Sequence, residues 1–266
     1  MENKKIAVIG AGNMGGAIIA GLVKSGSVAG ADLFVSDPRE SILNDIKSLG
    51  ANTSDSNLDS VRNADAVILA VKPRLIPRVL QEIKSGLNES KILISIAAGV
   101  TLEDLERICD KNVPLFRVMP NTAISLQQSL TCISSSAGDK DRQFVSDLFS
   151  KLGKVIEIPE DLMAAATVLS SCGIAFALRY IRASMQGGIE IGFSSEMAQL
   201  ITAQTLKGAA ELILQKGLHP ENEIDKVTTP GGITIAGLNE MEYNGFSSSL
   251  IQGIMKSYTK IGDSLK

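Results

Sequence analysis

Apolar residues along this chain follow two regimes. Through the first part they come in short continuous runs: Ile6-Ala7-Val8-Ile9, Ala66-Val67-Ile68-Leu69-Ala70-Val71, Ile92-Leu93-Ile94-Ser95-Ile96, and Leu115 to Val118, with a mixed segment at Asp32 to Ser36. Apolar runs of strand length without alternation read as strands buried on both faces. Helical patterns lie between them, at Ala17 to Lys24, after Pro73, and near Thr101 to Cys109. Strand and helix in alternation predict a mostly parallel sheet covered by helices. From Glu160 onward the strand signal vanishes. Long apolar helical patterns then occupy Asp161 to Met185, Ser194 to Gln215 and Ser247 to Ile261, with Ser194 suited to an N-cap, Gly217 to a C-cap and Gly208 to close helix contact.

The first strand runs directly into Gly10-Ala11-Gly12-Asn13-Met14-Gly15 and then a helix. A tight turn at Gly10, close backbone approach to a pyrophosphate at Gly12 and close helix packing at Gly15 are what this spacing supplies. By itself the motif is weak, but the second strand ends in Asp37, at the offset where an acidic residue meets the adenosine ribose. The predicted class is α/β: an N-terminal Rossmann-type dinucleotide-binding domain over 1–158, followed by an all-helical dimerisation domain over 159–266. Asp37 tilts the cofactor toward NADH, since a carboxylate repels a 2′-phosphate. Arg39, two residues on, keeps NADPH open. Ligands in such sheets lie beyond the carboxyl ends of the strands, which nominates Lys72, Pro73, Ala97, Ala98, Gly99, Pro120 and Asn121. For Lys72 a solvated charge and a nicotinamide-side contact are both open.

At 266 residues and 44% hydrophobic content the chain can bury a sizeable core, with room for about two domains. A net charge of −3 and no basic cluster give no footprint for nucleic acid. The N-terminal Met1-Glu2-Asn3-Lys4-Lys5 leads into an apolar segment too short for a secretory core or a membrane span, so a cytoplasmic protein without membrane contact is expected. Cys109, Cys132 and Cys172 lie in no paired spacing and are read as reduced and mostly buried. No acidic cluster has metal-ligand spacing. The helices of the second part carry apolar positions on more than one face, which predicts a homodimer or higher homo-oligomer built through that domain.

One segment there is rich in chemistry. Thr228-Thr229-Pro230-Gly231-Gly232-Ile233-Thr234-Ile235-Ala236-Gly237-Leu238 sets a bare Gly-Gly backbone and several hydroxyls at the start of a helical pattern. Taken alone it is an ordinary turn leading into a helix, or an anion site made from backbone N–H groups and the helix dipole. The one histidine, His219, precedes Pro220 in a loop and has no nucleophile or acid in sequence register with it. A cofactor fold so poor in acids and bases suits hydride transfer to a small substrate that needs orientation more than activation.

Taken together, G-A-G-N-M-G, A-V-K-P at Ala70 to Pro73, A-A-G-V at Ala97 to Val100, M-P-N-T at Met119 to Thr122, Q-T-x-x-G-A-A at Gln204 to Ala210 and T-P-G-G-I-T-I-A-G-L resemble pyrroline-5-carboxylate reductases over nearly the whole chain. The resemblance implies NAD(P)H-dependent reduction of 1-pyrroline-5-carboxylate to L-proline, the last step of proline biosynthesis. It implies cofactor contacts at Gly10, Ala11, Gly12, Asn13, Met14, Gly15, Asp37, Asn57, Ala70, Val71, Lys72, Pro73, Ala98 and Asn121. Substrate contacts would fall on Thr229, Gly231, Gly232, Ile233 and Thr234, with the Thr234 hydroxyl facing the ring nitrogen as the catalytic group.

Three departures stand out. Ile174 replaces the family's proline in Cys172-Gly173-Ile174-Ala175-Phe176, which favours a straighter helix; Arg182 stands where a glutamate is common; and Ala123 replaces a proline after Asn121-Thr122. They bear on the pocket wall and substrate range. The rival β-hydroxyacid dehydrogenase class needs a lysine on the first long helix, and no lysine lies between Lys154 and Lys207. A non-catalytic dinucleotide sensor would share the glycine and helix signals and stays open.

Overall fold

A computed structural model describes residues 4–109 and 112–264, so the reading of Met1-Glu2-Asn3 lies outside the described residues. The strands are β1 Ile6–Ile9, β2 Leu33–Ser36, β3 Asn52–Ser54, β4 Ala66–Leu69, β5 Ile92–Ser95, β6 Leu115–Met119, β7 Ser129–Ser135 and β8 Gly153–Glu157. Among the described residues they form one sheet in the order β3-β2-β1-β4-β5-β6-β7-β8. The first six are parallel, β7 runs antiparallel to β6, and β8 follows β7 in parallel.

Helices α1 Asn13–Lys24, α2 Glu40–Lys47, α3 Asn57–Arg62, α4 Ile76–Ile83, α5 Leu102–Cys109 and α6 Asp139–Ser150 accompany the sheet. Successive strand residues face opposite ways, and both faces are covered. Ile6 and Val8 join Ile18, Ile19, Leu22, Phe116 and Phe149 in one core, while Ala7 and Ile9 join Ile76, Leu80, Ile83 and Leu105 in the other. That double burial is why the strands read as continuous apolar runs. Each fully buried Ile or Leu contributes about 1.5–3 kcal/mol.

Strands β3, β7 and β8 gave no apolar run. β3 is three polar residues, and the register of β7 buries hydroxyls: Ser129 Oγ lies 3.2 Å from Thr131 Oγ1 and accepts the Asn121 N–H at 3.1 Å. From β8 the chain reaches Glu160, whose Oε1 accepts from Arg117 Nη1 at 2.8 Å and from the Leu102 N–H at 3.2 Å. Helix α7, Met163–Ala166, passes into a π-helical stretch, Thr167–Cys172. Here Ser170 O accepts from Asn121 Nδ2 at 3.2 Å and Ser171 Oγ donates to Pro120 O at 2.9 Å. Ile174 lies in the first turn of the α-helix that begins at Gly173, directly after this π-helical stretch.

Two compact units result, one running to Ser171 and taking in residues from Tyr258 onward, the other Cys172–Ser257. The second contains α8 Gly173–Glu190, α9 Ser195–Lys216, α10 Pro220–Asp225, α11 Ile233–Tyr243 and the start of α12, Phe246–Ser264. Ser194 caps α9 by accepting the Met197 N–H, and Gly217 ends it in left-handed conformation. Close contact between α8 and α9 is made at Gly188, where a Cβ would lie 3.0 Å from that of Ala198. Gly208, expected to serve this purpose, has nothing within 4 Å of its Cβ position. Tyr180 and Phe246 meet edge to face at 6.5 Å. The unit leaves Leu178, Ile191, Leu200, Leu214, Ile251 and Met255 exposed. Glu160–Glu190 is also long and apolar enough, by length and composition alone, to cross a membrane.

Arg117 is a buried cation with a 4% exposed side chain, and its Nε has no partner. Replacing Glu160 by Ala strands it. The expected loss is about 3 kcal/mol, the low end for removing one partner of a buried pair because the carboxylate is partly exposed. Urea unfolding measures it, and Arg117→Met with Glu160→Leu is expected to recover most of the stability. A cost below about 1 kcal/mol for Glu160→Ala would show the pair to be dispensable.

Candidate functional site

The site begins where β1 ends. Gly10 adopts φ +92° and donates its N–H to Ser36 O at 2.7 Å, while a Cβ there would lie 2.9 Å from Val71 Cγ1 and 3.0 Å from Ala70 O. Only glycine meets both conditions. A Cβ on Gly15 would sit 2.0 Å from Gly10 O, so α1 packs directly on the turn. Gly12 caps α1 without any side-chain hydrogen bond. The first-turn N–H groups therefore remain for an anion, in a place where the helix dipole is positive.

Around this turn opens a cleft of about 850 Å³. Of the residues nominated from sequence, it is lined by Gly10, Gly12, Asn13, Met14, Asp37, Asn57, Ala70, Val71 and Lys72. Ala11 and Gly15 are buried behind the turn, Pro73 begins an exposed 3₁₀ turn, and Ala98 is exposed beyond β5. Ala97 is buried there, with Gly99 beside it partly so. Asn121 is buried and occupied: its Oδ1 accepts the Ala123 N–H at 3.0 Å, and its Nδ2 is the donor to Ser170 O. Ala123 makes a bond there that the family's proline, lacking an N–H, does not make.

The cleft also holds residues that sequence reasoning missed. Ser36 Oγ donates to Asn57 Oδ1 at 2.8 Å, Asn57 Nδ2 to Glu82 Oε2 at 2.7 Å, and Arg78 Nε to Glu82 Oε1 at 3.0 Å. Their i, i+4 spacing on α4 was the available signal for Arg78 and Glu82.

Asp37 differs most from expectation. Its side chain is 2% exposed; Oδ1 accepts from Arg39 N at 3.0 Å and Nε at 2.8 Å, and Oδ2 from Ala11 N at 2.9 Å and Arg39 Nη2 at 2.8 Å. A carboxylate offers about four lone-pair positions. All are taken by the chain itself, so the free acceptors on which the tilt toward NADH rested are absent. The Arg39 side chain, then the Ala11 and Arg39 backbone N–H groups, hold this carboxyl below the usual carboxylate range against the opposing effect of burial.

In the second unit, Gly231 has φ +69° and Gly232 donates its N–H to Thr229 O at 2.9 Å. Gly232 caps α11 with no side-chain hydrogen bond, which leaves the first-turn N–H groups of a helix open again. Ile233 is 93% exposed there, and Thr234 is exposed. His219 serves structure: its Nδ1 accepts the Glu221 N–H at 3.3 Å and caps α10. Burial pushes the Cys132 thiol up, away from nucleophilic use. Cys109, Cys132 and Cys172 are in no disulfide; the first two are buried and Cys172 is only partly so. Among the described residues no three His, Cys, Asp or Glu side chains come together to hold a metal.

Two family models match the chain. One, described as pyrroline-5-carboxylate reductase dimerisation, covers residues 160–263; the other, NADP oxidoreductase coenzyme F420-dependent, covers residues 5–99. Pyrroline-5-carboxylate reductase 1 of Dictyostelium discoideum is 43% identical over 96% of this chain, which spans 49% of that relative's length. The Methanosarcina acetivorans pyrroline-5-carboxylate reductase is 36% identical over 97% of this chain and 96% of its own. The chain belongs to the pyrroline-5-carboxylate reductase family. A crystal structure of the Plasmodium falciparum pyrroline carboxylate reductase with NADP bound covers all of both chains with TM-score 0.92 and 30% identity. The fold class read from the sequence is thus the family's, a mostly parallel dinucleotide-type sheet and a helical domain.

Because the folded Asp37 carboxyl lies below its ordinary range, the stability it contributes is full above that range and is lost as pH falls through its folded value. Thermal unfolding followed below about pH 4 is expected to show this loss. Asp37→Asn is expected to lower the neutral-pH midpoint and flatten the acid decline. An unchanged acid decline in that variant would assign it to other groups.

Proposed function

We propose that this protein reduces 1-pyrroline-5-carboxylate to L-proline, the last step of proline biosynthesis, acting in the cytoplasm as a homodimer or larger homo-oligomer. The observation that carries the reading is the uncapped start of α11 after Thr229-Pro230-Gly231-Gly232, an anion site in a chain that also has a dinucleotide turn. Reduced nicotinamide, when bound, supplies the hydride to the imine carbon. The turn of Gly10, Ala11, Gly12, Asn13, Met14 and Gly15 fits its pyrophosphate, because first-turn amides are free and no Cβ stands over Gly12. Asn57, Asp37 and Arg39 belong to the adenosine end, and Ala70, Val71, Lys72 and Pro73, with Ala98 and Asn121, to the nicotinamide side.

The substrate carboxylate takes backbone N–H bonds at Gly231, Ile233 and Thr234 in this reading. Gly232 joins only by sharing the N–H now given to Thr229 O. A protonated imine accepts a hydride at carbon, its π electrons return to nitrogen as a lone pair, and the product is the amine. Thr234 then needs only to hold or relay the nitrogen's proton, which suits a weakly acidic hydroxyl. The working domains are 1–158 for the cofactor and 159–266 for substrate and assembly. The exposed apolar side chains of Cys172–Ser257 support the assembly.

Mixing the protein with 1-pyrroline-5-carboxylate and NADH or NADPH is expected to consume the reduced-nicotinamide absorbance, and no consumption with either would favour a sensor. Thr234→Ala is expected to lower kcat by about ten- to hundredfold while leaving cofactor Kd within about twofold; unchanged kcat would remove Thr234 from the mechanism. Light scattering of the active protein is expected to give a dimer or larger, and an active monomer would refute the assembly.

A further inference from the structure

We infer that His219 is a positioning residue for the segment Thr229–Gly232, holding it through α10, so that a proton on His219 weakens capture of the substrate carboxylate; the inference rests on that segment being the substrate site. From Gly217, where α9 ends, to Pro230 the chain is exposed except at Glu223, Ile224 and Thr228, which are partly buried. With so little apolar burial, local hydrogen bonds and ion pairs fix its course. α10, six residues long, is too short to stand on its own propensity. Its front is held by His219, whose Nδ1 accepts the Glu221 N–H and whose carbonyl accepts the Asn222 N–H at 2.9 Å. Pro220, the first residue of α10, restricts His219 to the extended backbone that a cap needs, φ −62° and ψ 140°. At the far end Thr228 Oγ1 donates to Ile224 O and Asp225 O, both at 3.2 Å, and Thr228 N to Asp225 O at 3.3 Å. Thr229 follows directly, and its carbonyl accepts the Gly232 N–H. Cap, helix and Thr228 form one bracket that decides where the open amides of α11 begin.

The cap requires a neutral imidazole. Nδ1 accepts only when it carries no proton, with the ring hydrogen on Nε2. Protonation turns that acceptor into a donor facing an N–H, and sets a cation at the positive end of a helix. Histidine takes its proton between about pH 5 and 8, and this is the chain's one histidine. The charged groups on α10 and its C-cap are Glu221, Glu223, Asp225 and Lys226, and α9 brings Lys216 to within 3.7 Å of Glu223. Chiefly the Lys226 ammonium, with Lys216 beside it, holds the Glu223 carboxyl below the usual carboxylate range against the effect of burial. Carboxylates and lysines keep their ordinary charges across that interval, so within the bracket His219 is the group that changes charge. A direct contact between His219 and the substrate would act with the opposite sign, since an imidazolium attracts a carboxylate. The direction of the pH effect therefore separates positioning from contact.

L-Proline is the probe, because its carboxylate and secondary amine hold their charges through this interval, and with reduced cofactor present the pair cannot react. By calorimetry, the wild-type protein is expected to bind proline about three- to tenfold more weakly at about pH 5.5 than at about pH 7.5. His219→Asn, which keeps an acceptor that does not titrate, should stay within about twofold of wild type at the higher pH and lose the pH dependence. His219→Ala is expected to weaken proline by about three- to tenfold at the higher pH, with the Kd of the reduced cofactor within about twofold in both variants. By reciprocity, saturating proline should move the protonation midpoint of the single histidine, read from its ring C–H resonance in the wild-type protein, to lower pH by about half to one unit. That readout depends on no variant's folding. Equal or tighter proline binding at the lower pH, an unmoved midpoint, or a wild-type pH dependence retained in His219→Asn would overturn the inference and leave the substrate site standing. Failure of proline to bind at either pH, with the cofactor still bound, would overturn the substrate site and the inference with it.

Discussion

The space between β1 and α1 is the constraint on which the rest depends. With Gly15 set against the Gly10 carbonyl, no side chain fits between the end of the first strand and the first helix. The helix axis is therefore fixed by backbone contact, and its first amides open at the carboxyl end of the sheet. β1 is central, flanked by β2 and β4, and chain connections lead away from it in opposite directions on its two sides. A crevice opens at such a reversal. Ser36 O and Asp37 then hold the turn from β2 through the Gly10 and Ala11 N–H groups.

Helices α1 and α11 begin alike, on a glycine that offers no side chain to their amides. A Ser, Thr or Asp there would stabilise the helix by only a few tenths of a kcal/mol more than glycine does. It would also occupy an N–H that an anionic ligand needs. Elsewhere the chain does use such caps, at Ser56 for α3 and Ser194 for α9. At α1, α11 and also α6, which begins on Gly138, no side chain occupies the first-turn N–H groups.

Strands sandwiched between helices were legible because burial on both faces demands unbroken apolar runs. β3, β7 and β8 were not, since an edge strand tolerates polar residues and the inward hydroxyls of β7 satisfy each other and Asn121. The glycine turn was legible from spacing alone. What spacing could not show was the direction of the Asp37 lone pairs, because only the folded chain places Ala11 N–H and the Arg39 fork on the same carboxylate. In the helical unit the excess of apolar faces was evident, while the point of close contact fell on Gly188 rather than Gly208, since identity does not reveal which side of a helix meets its neighbour.

The two reversed strands at the sheet edge set how the chain leaves the first unit. They deliver Glu160 beside Arg117 in the middle of β6, and the helical stretch that follows travels with β6 until Ser170 and Ser171 clasp Asn121 and Pro120 just beyond its end. Both ends of this span are tied to the same strand, so it works as a ruler. One residue added or removed between Glu160 and Ser170 would have to be taken up inside the span, at its π-helical stretch, or one of the two ties would break. Length in this connector is therefore fixed by the sheet, even where residue identity is free to drift.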